Sequence, residues 1–519
     1  MKVLLITGQL AQDIVKCSAK ESSMETETLA LKIAVAAFLT PQTIVEQLKK
    51  TKLTGFNVIL VPGLVRGDTS LISKATGVPT FKGPRYAADL PTILDSLCEV
   101  QLSTSIPADD LLRDRLQQQA LQEIEKTEKN RDVLLNKPSS MLIGNLAIGK
   151  EFPMRILAEI VDAALMDKET IQHTAKRFVA VGADIIDVGM VAGESHPEKA
   201  KCIVEWVKQV VDVPVSIDTL DPAEIKAAVQ AGAELVLSGD AGNIEKIAPF
   251  TSKVAVVIIP TNQSQGYFPK KAQDRVRYLE EIISKAKKLG MTRSIADLIL
   301  EPCNVLESFI AFKEFAARNP SVPIFVGVSN VTELIDADSV GVNAMLARLS
   351  SEIDASILLA TEKSAKAKGT VAEEVAATKM MFLAKKRGSV PKDLGIDLLI
   401  LKDKRSHEEP YDKKLETSAK VVNAPDKPEP AVLDCEGIFK ISIDRIEGVL
   451  VAAHYIALDI TKPVNIIKGK TAESLYAKIV TMGLVSKLDH AAYLGSELTK
   501  AEIALRTGKE YIQDDVLFR

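Results

Sequence analysis

The chain has 519 residues, of which 46% are hydrophobic and 26% charged, and its formal net charge is −4. This length predicts more than one domain, and the composition is typical of globular proteins. The small net charge and the 4% aromatic content do not support a nucleic-acid partner. No stretch reaches the roughly 18–20 apolar residues of a membrane span, so we expect no membrane association.

The five cysteines are few, scattered and odd in number. None belongs to a CxxC pair, which argues against a disulfide framework and against a cysteine-rich zinc site. With no recognisable signal peptide at the N-terminus, this usage predicts a cytoplasmic protein. The cysteines are Cys17, Cys98, Cys202, Cys303 and Cys435.

Residues 1–136 are predicted to form an N-terminal α/β domain with a connecting helix. Apolar runs at 3–6 and 58–61 predict buried parallel strands, and 28–38 has helical periodicity. Residues 107–137 form a long polar pattern that predicts the connecting helix.

Two glycine-containing loops of this region, 62–68 and 81–85, follow apolar runs. Backbone N–H groups in such loops can bind anions. Tight turns after strands are the simpler interpretation, and we prefer it.

Residues 137–395 show a regular alternation of apolar runs and helical stretches. Eight such βα units in about 250 residues predict a (β/α)8 barrel, with a doubly wound sheet as the alternative. The runs predicted as strands one to eight are 141–146, 185–190, 213–219, 234–239, 253–260, 298–302, 324–330 and 356–361.

Residues 396–434 are rich in charge and proline, which predicts a linker. The remainder, 435–519, predicts a small α+β domain. Its strands are expected at 438–443 and 448–454, and its helices at 471–482 and 498–507.

Polar residues close several of the predicted barrel strands, where such barrels carry their active sites. A single carboxylate there can simply cap the following helix, which is our interpretation of Asp221 before Pro222. Acids ending strands two, three and six, with an asparagine ending strand seven, favour a ligand site instead. The residues are Asp187, Asp218, Ser238, Glu301 and Asn330.

Two ligands suit such a set. Carboxylates without neighbouring histidine or cysteine could hold Mg²⁺. A 2-amino-4-oxo pterin presents its N3–H and 2-amino groups side by side, and one buried carboxylate can accept both. Asparagine side chains can serve the remaining donors and acceptors. The sequence assigns no metal ligands.

Three segments, GADIIDVG at 182–189, VPVSIDT at 213–219 and GAELV at 232–236, resemble the pterin-binding domain. Dihydropteroate synthases share this domain with corrinoid-linked methyltetrahydrofolate methyltransferases. The whole chain is similar to archaeal dihydropteroate synthase-related proteins, and residues 483–495 resemble their C-terminal domain. The resemblance implies a pterin as substrate or ligand.

The resemblance also implies roles for individual residues. Asp218 matches the third-strand aspartate that faces the pterin, and Glu301 stands where an aspartate usually grips N3–H and the 2-amino group. Leu237 or Ser238 stands where an asparagine usually ends strand four. GVSN, ending at Asn330, resembles the methyltransferase form, in which the asparagine approaches pterin N5, rather than the Ser-Arg-Lys of synthases.

The predicted pterin site therefore consists of residues from strands two, three, four, six and seven and from the segment after strand seven. Asn330 and Asp218 are the predicted catalytic residues. The full set is Asp187, Asp218, Ser238, Glu301, Asn330 and Asn343.

Three functions remain open. The first is a dihydropteroate synthase-like transferase of archaeal folate or tetrahydromethanopterin-type one-carbon metabolism, in which Lys150 or Lys363 would neutralise the diphosphate leaving group. The second is methyl transfer between a tetrahydropterin and a corrinoid protein, and the third is pterin binding without catalysis. The first-strand asparagine and the strand-eight Arg–x–His of synthases are not recognisable at 145–150 and 361–363. We also expect a homo-oligomer.

Overall fold

The computed structural model describes residues 1–392, 394–402, 404, 411–425, 433–456 and 461–518. Parts of the predicted linker, 403, 405–410 and 426–432, lie outside the described residues. The chain divides into two compact units: Met1–Asp132 with Lys379–Asp412, and Val133–Thr378 with Lys413–Arg519. Among the described helices, none combines the length and apolar character that crossing a membrane requires.

A four-stranded parallel sheet organises the first unit, as its buried apolar runs predict. The sheet order is β2-β1-β3-β4. Alternate residues of β1 face opposite sides, so Val3 and Leu5 enter one core cluster and Leu4 and Ile6 another. The strands are β1 (Lys2–Thr7), β2 (Glu25–Ala30), β3 (Val58–Val61) and β4 (Thr80–Lys82).

Helices cover both faces of this sheet. The helical periodicity at 28–38 is a wrong prediction, because residues up to Ala30 pair with β1 and only Ala36–Phe38 makes a short 3-10 turn. The long polar pattern does form a helix, α5. The helices are α1 (Gln12–Ala19), α2 (Pro41–Leu48), α3 (Ser70–Thr76), α4 (Leu90–Asp95), α5 (Ala108–Lys129) and α6 (Arg131–Leu134).

The segment predicted as the first barrel strand, 141–146, instead belongs to an antiparallel hairpin, β5 (Met141–Ile143) and β6 (Leu146–Ile148). Its residues Ile143 and Ile148 enter the barrel core. Arg155, which opens the true first barrel strand, donates through Nε to the Ala147 carbonyl at 2.9 Å. The hairpin is therefore apolar because it closes the N-terminal end of the barrel.

Eight parallel strands form the barrel in the second unit, which confirms the predicted fold class. The sheet order is β12-β11-β10-β9-β8-β7-β14-β13, and a parallel bridge between Ala296 and Ile324 joins its two ends. The strands are β7 (Arg155–Ile160), β8 (Ile185–Gly189), β9 (Val215–Asp218), β10 (Leu235–Gly239), β11 (Ala255–Ile258), β12 (Ser294–Ala296), β13 (Phe325–Val326) and β14 (Ile357–Thr361).

The sixth strand, β12, ends earlier than its predicted position at 298–302. Asp297 follows it directly and accepts the Ile299 N–H through Oδ1 at 2.7 Å, while Ile299 has a positive φ of 63°. This turn ends the strand pairing. Leu298 and Leu300 are fully buried in the turn, which explains why the run looked like a strand.

Helices connect the barrel strands and surround them. Two of the described barrel helices begin with a side-chain cap: Asp167 accepts the Thr170 N–H, and Asp221 accepts the Ala223 N–H at 2.6 Å, the capping role expected for it. The helices are α7 (Lys168–Ala180), α8 (Pro197–Lys208), α9 (Pro222–Gln230), α10 (Ile244–Thr251), α11 (Ala272–Lys288), α12 (Val305–Arg318), α13 (Ser329–Thr332), α14 (Ser339–Glu352) and α15 (Thr370–Arg387).

The C-terminal part is a small α+β fold, as predicted. An antiparallel sheet of order β15-β16-β17 packs against two helices around a core that includes Phe439, Leu450 and Leu498. The last helix begins at Leu488 rather than at 498. The elements are β15 (Ile438–Asp444), β16 (Val449–Tyr455), β17 (Asn465–Gly469), α16 (Ala472–Thr481) and α17 (Leu488–Thr507).

Candidate functional site

Three carboxylates meet at the C-terminal ends of the first three barrel strands. Glu159 on β7 is the register partner of Asp187 on β8, which pairs with Ser216 on β9. Asp218 lies two residues beyond Ser216 on the same strand. Neighbouring partners in a parallel sheet share a face, so all three acids point into the barrel above its apolar stack.

These three acids form one cluster. One carboxylate oxygen from each of Glu159, Asp187 and Asp218 lies within 4.8 Å of the others. Asp187 is fully buried; its Oδ1 accepts the Ser216 hydroxyl at 2.5 Å and its Oδ2 has no hydrogen-bond partner among the described residues. An unpaired buried carboxylate oxygen is costly unless it carries a proton or accepts from a ligand.

The cluster favours protonated carboxyl groups at neutral pH. Burial, with a contribution from Asp218, raises the pKa of Glu159 to about 8. Burial raises the pKa of Asp218 to about 7, and burial together with the Asp218 charge raises the pKa of Asp187. Like charges this close cannot all ionise, so Glu159 and Asp218 can hold and release protons near pH 7.

A fourth acid, Asp297, lies opposite this cluster. It directly follows β12, which is four strands from β8 in either direction around the closed barrel. Asp297 is 8% exposed, and burial raises its pKa to about 7. Sequence reasoning missed both Asp297 and Glu159, because the strands that carry them were assigned to other segments.

Glu301, the predicted sixth-strand carboxylate, is used in ion pairs. Its Oε2 accepts from the guanidinium of Arg275 at 2.6 Å, and its Oε1 from the ammonium of Lys270 at 2.9 Å. The hydrogen bond and charge of Lys270 lower the pKa of Glu301. The Arg275 side chain is fully buried and depends on this partner. The prediction that Glu301 ends strand six is wrong, because β12 ends at Ala296 and Asp297 is the residue that follows it directly.

The end of β10, which contains Ser238, differs from the expectation in which residue faces into the barrel. Leu237 is the register partner of Asp218 and belongs to the apolar core, so Leu237 is the inward-facing residue at the end of β10. The Ser238 carbonyl accepts from the Asn243 amide at 3.1 Å. The structure thus places an apolar side chain where the resemblance implies an asparagine.

The two predicted asparagines lie in different surroundings. Asn330 is exposed on α13, and its Nδ2 makes one long hydrogen bond of 3.4 Å to the Leu300 carbonyl. Asn343 on α14 is buried, where it accepts from Thr332 Oγ1 at 2.7 Å and donates to Glu373 at 2.8 Å. Asn330 can turn toward a ligand, whereas the amide of Asn343 is held between helices.

Comparison with known proteins identifies relatives of this chain. Residues 159–365 match the pterin binding enzyme family, and residues 433–514 match the PterinBD-DUF4346 family. An uncharacterized protein of Methanocaldococcus jannaschii, MJ0107, is 41% identical over 536 residues, covering 100% of this chain and 99% of that protein. The chain belongs to the same family as this Methanocaldococcus jannaschii protein, and its barrel carries the pterin binding enzyme domain match. Residues 1–85 match a family of unknown function.

More distant relatives are dihydropteroate synthases. The enzyme of Clostridium beijerinckii is 29% identical over 140 residues, covering 24% of this chain and 51% of that protein. The structure of Yersinia pestis dihydropteroate synthase with a pterine-sulfa conjugate aligns with 48% of this chain and 99% of its own, at 18% identity and a TM-score of 0.39. The Xanthomonas albilineans synthase in complex with 7,8-dihydropteroate aligns with 49% of this chain and 100% of its own, at 19% identity and a TM-score of 0.38.

The mouth of the barrel is acidic near its first and last strands. Lys363, after β14, pairs through Nζ with Asp162 at 2.9 Å. Glu333 accepts the Lys363 N–H at 2.9 Å and the Thr361 hydroxyl at 3.2 Å. Lys150 precedes the N-terminal end of β7, away from the acids. Of the two cations expected to neutralise diphosphate, Lys363 is already paired with Asp162, and Lys150 lies at the opposite end of the barrel.

Proposed function

We propose that the barrel binds a reduced pterin and catalyses methyl transfer at pterin N5, with a corrinoid-bearing protein as partner. The observation that carries this proposal is the cluster of Glu159, Asp187 and Asp218, in which the raised pKa values of Glu159 and Asp218 suit proton transfer near pH 7. The pterin would be of the folate or tetrahydromethanopterin type.

Asp297 would anchor the ring. Its ionised carboxylate can accept N3–H and the 2-amino group together in a charge-assisted pair. Because Asp297 and Asp187 lie four strands apart around the barrel, a flat bicyclic ring held by Asp297 extends toward the acid cluster. Asn330, which follows the neighbouring strand β13, would contact the ring beside this anchor.

The acid cluster would supply the proton that methyl transfer needs. When the N5–CH3 bond breaks, the methyl group passes to the partner's nucleophile and the bonding electrons stay on N5. The Glu159 carboxylic acid then donates its proton to N5, which leaves Glu159 as the carboxylate. Asp218 assists because its charge favours the protonated form of Glu159.

Synthase chemistry is the second candidate, favoured by the match to dihydropteroate synthases. It requires positive charge for a diphosphate leaving group. The acidic residues Glu159, Asp162 and Glu333 surround the mouth near strands one and eight, and Lys363 is paired there. This electrostatic arrangement opposes a diphosphate and favours a ligand with N–H donors.

Two parallel assays test the proposal. One combines the protein with a methyl-tetrahydropterin and cob(I)alamin, and the other with a dihydropterin methyl diphosphate and an arylamine. We expect methylcobalamin only in the first assay, with Glu159→Gln slowing it while pterin affinity changes little. Dihydropteroate-type product in the second assay would establish synthase chemistry, and product in neither, with pterin bound, would indicate a binding protein.

The three clustered carboxylates also offer the oxygen ligands that Mg²⁺ prefers. Repeating both assays with EDTA and with added Mg²⁺ separates a proton-holding cluster from a metal site. The proposal expects equal rates in both conditions.

A further inference from the structure

The carboxyl edge of the sheet in the first unit carries a cavity of about 370 Å³. The ends of β1 and β3 form its floor, through Thr7 and Val61, and the loop after β4 forms one wall through Pro84. The sheet order β2-β1-β3-β4 reverses direction between β1 and β3. Open parallel sheets bind ligands outside the carboxyl ends of strands at such a reversal.

The cavity has the size of a small-molecule site. It lies at the lower end of the range of about 300–1,000 Å³ found for ligand pockets. Large apolar side chains at its mouth remain exposed to solvent: Leu10 is 71% exposed, Ile14 44% and Leu64 43%. Exposed apolar side chains grouped around one cavity indicate a surface that a ligand or partner covers.

Four backbone N–H groups in the loops around the cavity already have acceptors within the protein. Gly63 donates its N–H to the Pro84 carbonyl at 2.9 Å, and Gly83 donates to the Val61 carbonyl at 2.7 Å. Gln9 and Leu10, after β1, donate to the carbonyls of Ile33 and Ala34. These four N–H groups are therefore not free to bind a phosphate.

Arg85 is the charged residue of the cavity wall, and its charge is compensated. Its guanidinium donates to Asp109 Oδ2 at 2.6 Å and to both oxygens of Asp110, at 2.8 and 2.5 Å. The remaining wall is apolar apart from Thr7, Tyr86 and backbone. An ionic ligand would therefore lose its hydration without gaining a free partner.

We propose that this cavity is a second binding site, distinct from the barrel, for an uncharged and largely apolar small molecule. Burial of apolar surface supplies its affinity, and Thr7 offers one hydroxyl for a polar group on the ligand. A pterin does not fit this chemistry, because its many ring donors and acceptors would be buried without partners.

A matched pair of fluorescent probes tests the charge requirement on the full chain. N-phenyl-1-naphthylamine is uncharged, and 8-anilinonaphthalene-1-sulfonate has the same aromatic skeleton with one negative charge. We expect one saturable site for the uncharged probe and at least about tenfold weaker binding of the sulfonate, because its charge must be desolvated. Equal affinities, or no saturable binding of the uncharged probe, would overturn the proposal.

Two variants locate the probe. Ala11→Trp and Ala37→Trp each place an indole into the cavity from half-buried positions, so either should fold and weaken the uncharged probe about tenfold. Leu121→Ala, an exposed change on α5, and Asp297→Asn in the barrel are the controls that should leave the probe's affinity unchanged. Undiminished binding in both tryptophan variants contradicts the assignment. A dimer that both variants dissociate, without probe binding to the wild type, would instead identify an interface between copies.

Discussion

The barrel mouth and the edge of the first-unit sheet occupy equivalent positions in their folds, at the carboxyl ends of parallel strands, but they differ in chemistry. In the barrel, the inward-facing positions nearest the carboxyl ends of the first three strands carry Glu159, Asp187 and Asp218, and the pKa values of all three are raised. At the sheet edge, apolar side chains line the cavity and Arg85 is neutralised by two aspartates. The topology decides where a ligand can bind, and the side chains at the strand ends decide which ligand.

The largest expected effect is on pterin affinity, and it distinguishes Asp297 from Glu301, the two acids that follow β12. Asp297→Asn places an amide NH2 against the ring's own donors, so pterin affinity should fall by roughly 2–4 kcal/mol. Glu301→Gln should leave pterin affinity nearly unchanged and lower the melting temperature, because buried Arg275 loses its charged partner. Calorimetry and thermal melts on both variants measure this. The reverse pattern would return the anchor role to Glu301.

The redox state of the pterin provides the next test. At a pH above about 8, where Glu159 and Asp218 are ionised, the N5 and N8 hydrogens of a tetrahydropterin can donate to the acid cluster, whereas in an oxidised pterin both atoms are acceptors that face carboxylate oxygens. We expect the tetrahydropterin to bind at least about tenfold more tightly, the cost of one buried unpaired group. Competition binding with the two forms measures the ratio. Equal affinities would mean that the ring edge does not face the cluster.

A stability measurement tests the buried cluster without any ligand. Because folding raises the pKa of Asp187, the native state binds more protons than the unfolded state above pH 4, so stability falls as pH rises toward 8. Asp187→Asn removes this penalty. The variant should therefore gain melting temperature relative to wild type at pH 8, and gain less at pH 5. Ser216→Ala, which removes the hydroxyl donor to Asp187, is the contrasting change and should lower stability.

The smallest expected effect is on the sites of proteolytic cleavage, which test the domain boundaries and not the binding sites. The charge- and proline-rich composition of 396–434 predicts a linker between the barrel and the C-terminal α+β fold. Limited proteolysis followed by mass spectrometry should find the first cuts between about 402 and 434. Early cleavage inside α15 or β15 instead would show that the boundary lies elsewhere.

Sequence patterns predicted the barrel and the acids of β8 and β9 because those strands are short apolar runs with an aspartate at or near the C-terminal end. They failed at the first and sixth strands for a shared physical reason: a buried segment is apolar whether or not it is a strand. Ile143 is buried in a hairpin that closes the barrel, and Leu298 is buried in a turn. Because the ends of these two strands were misassigned, Glu159 and Asp297 were not identified as site residues. The burial of Asn343 between helices depends on tertiary packing, which no local pattern records.

The most direct test of pterin binding at the acidic barrel mouth is calorimetric titration of the full chain with a tetrahydropterin from pH 6 to pH 8. We predict micromolar affinity, on the order of −8 kcal/mol. Affinity should rise with pH, because the anchor binds as a carboxylate and burial raises the pKa of free Asp297 to about 7. The gain should disappear in Asp297→Asn. Absence of binding at millimolar pterin, or a pH dependence that Asp297→Asn retains, would contradict the account.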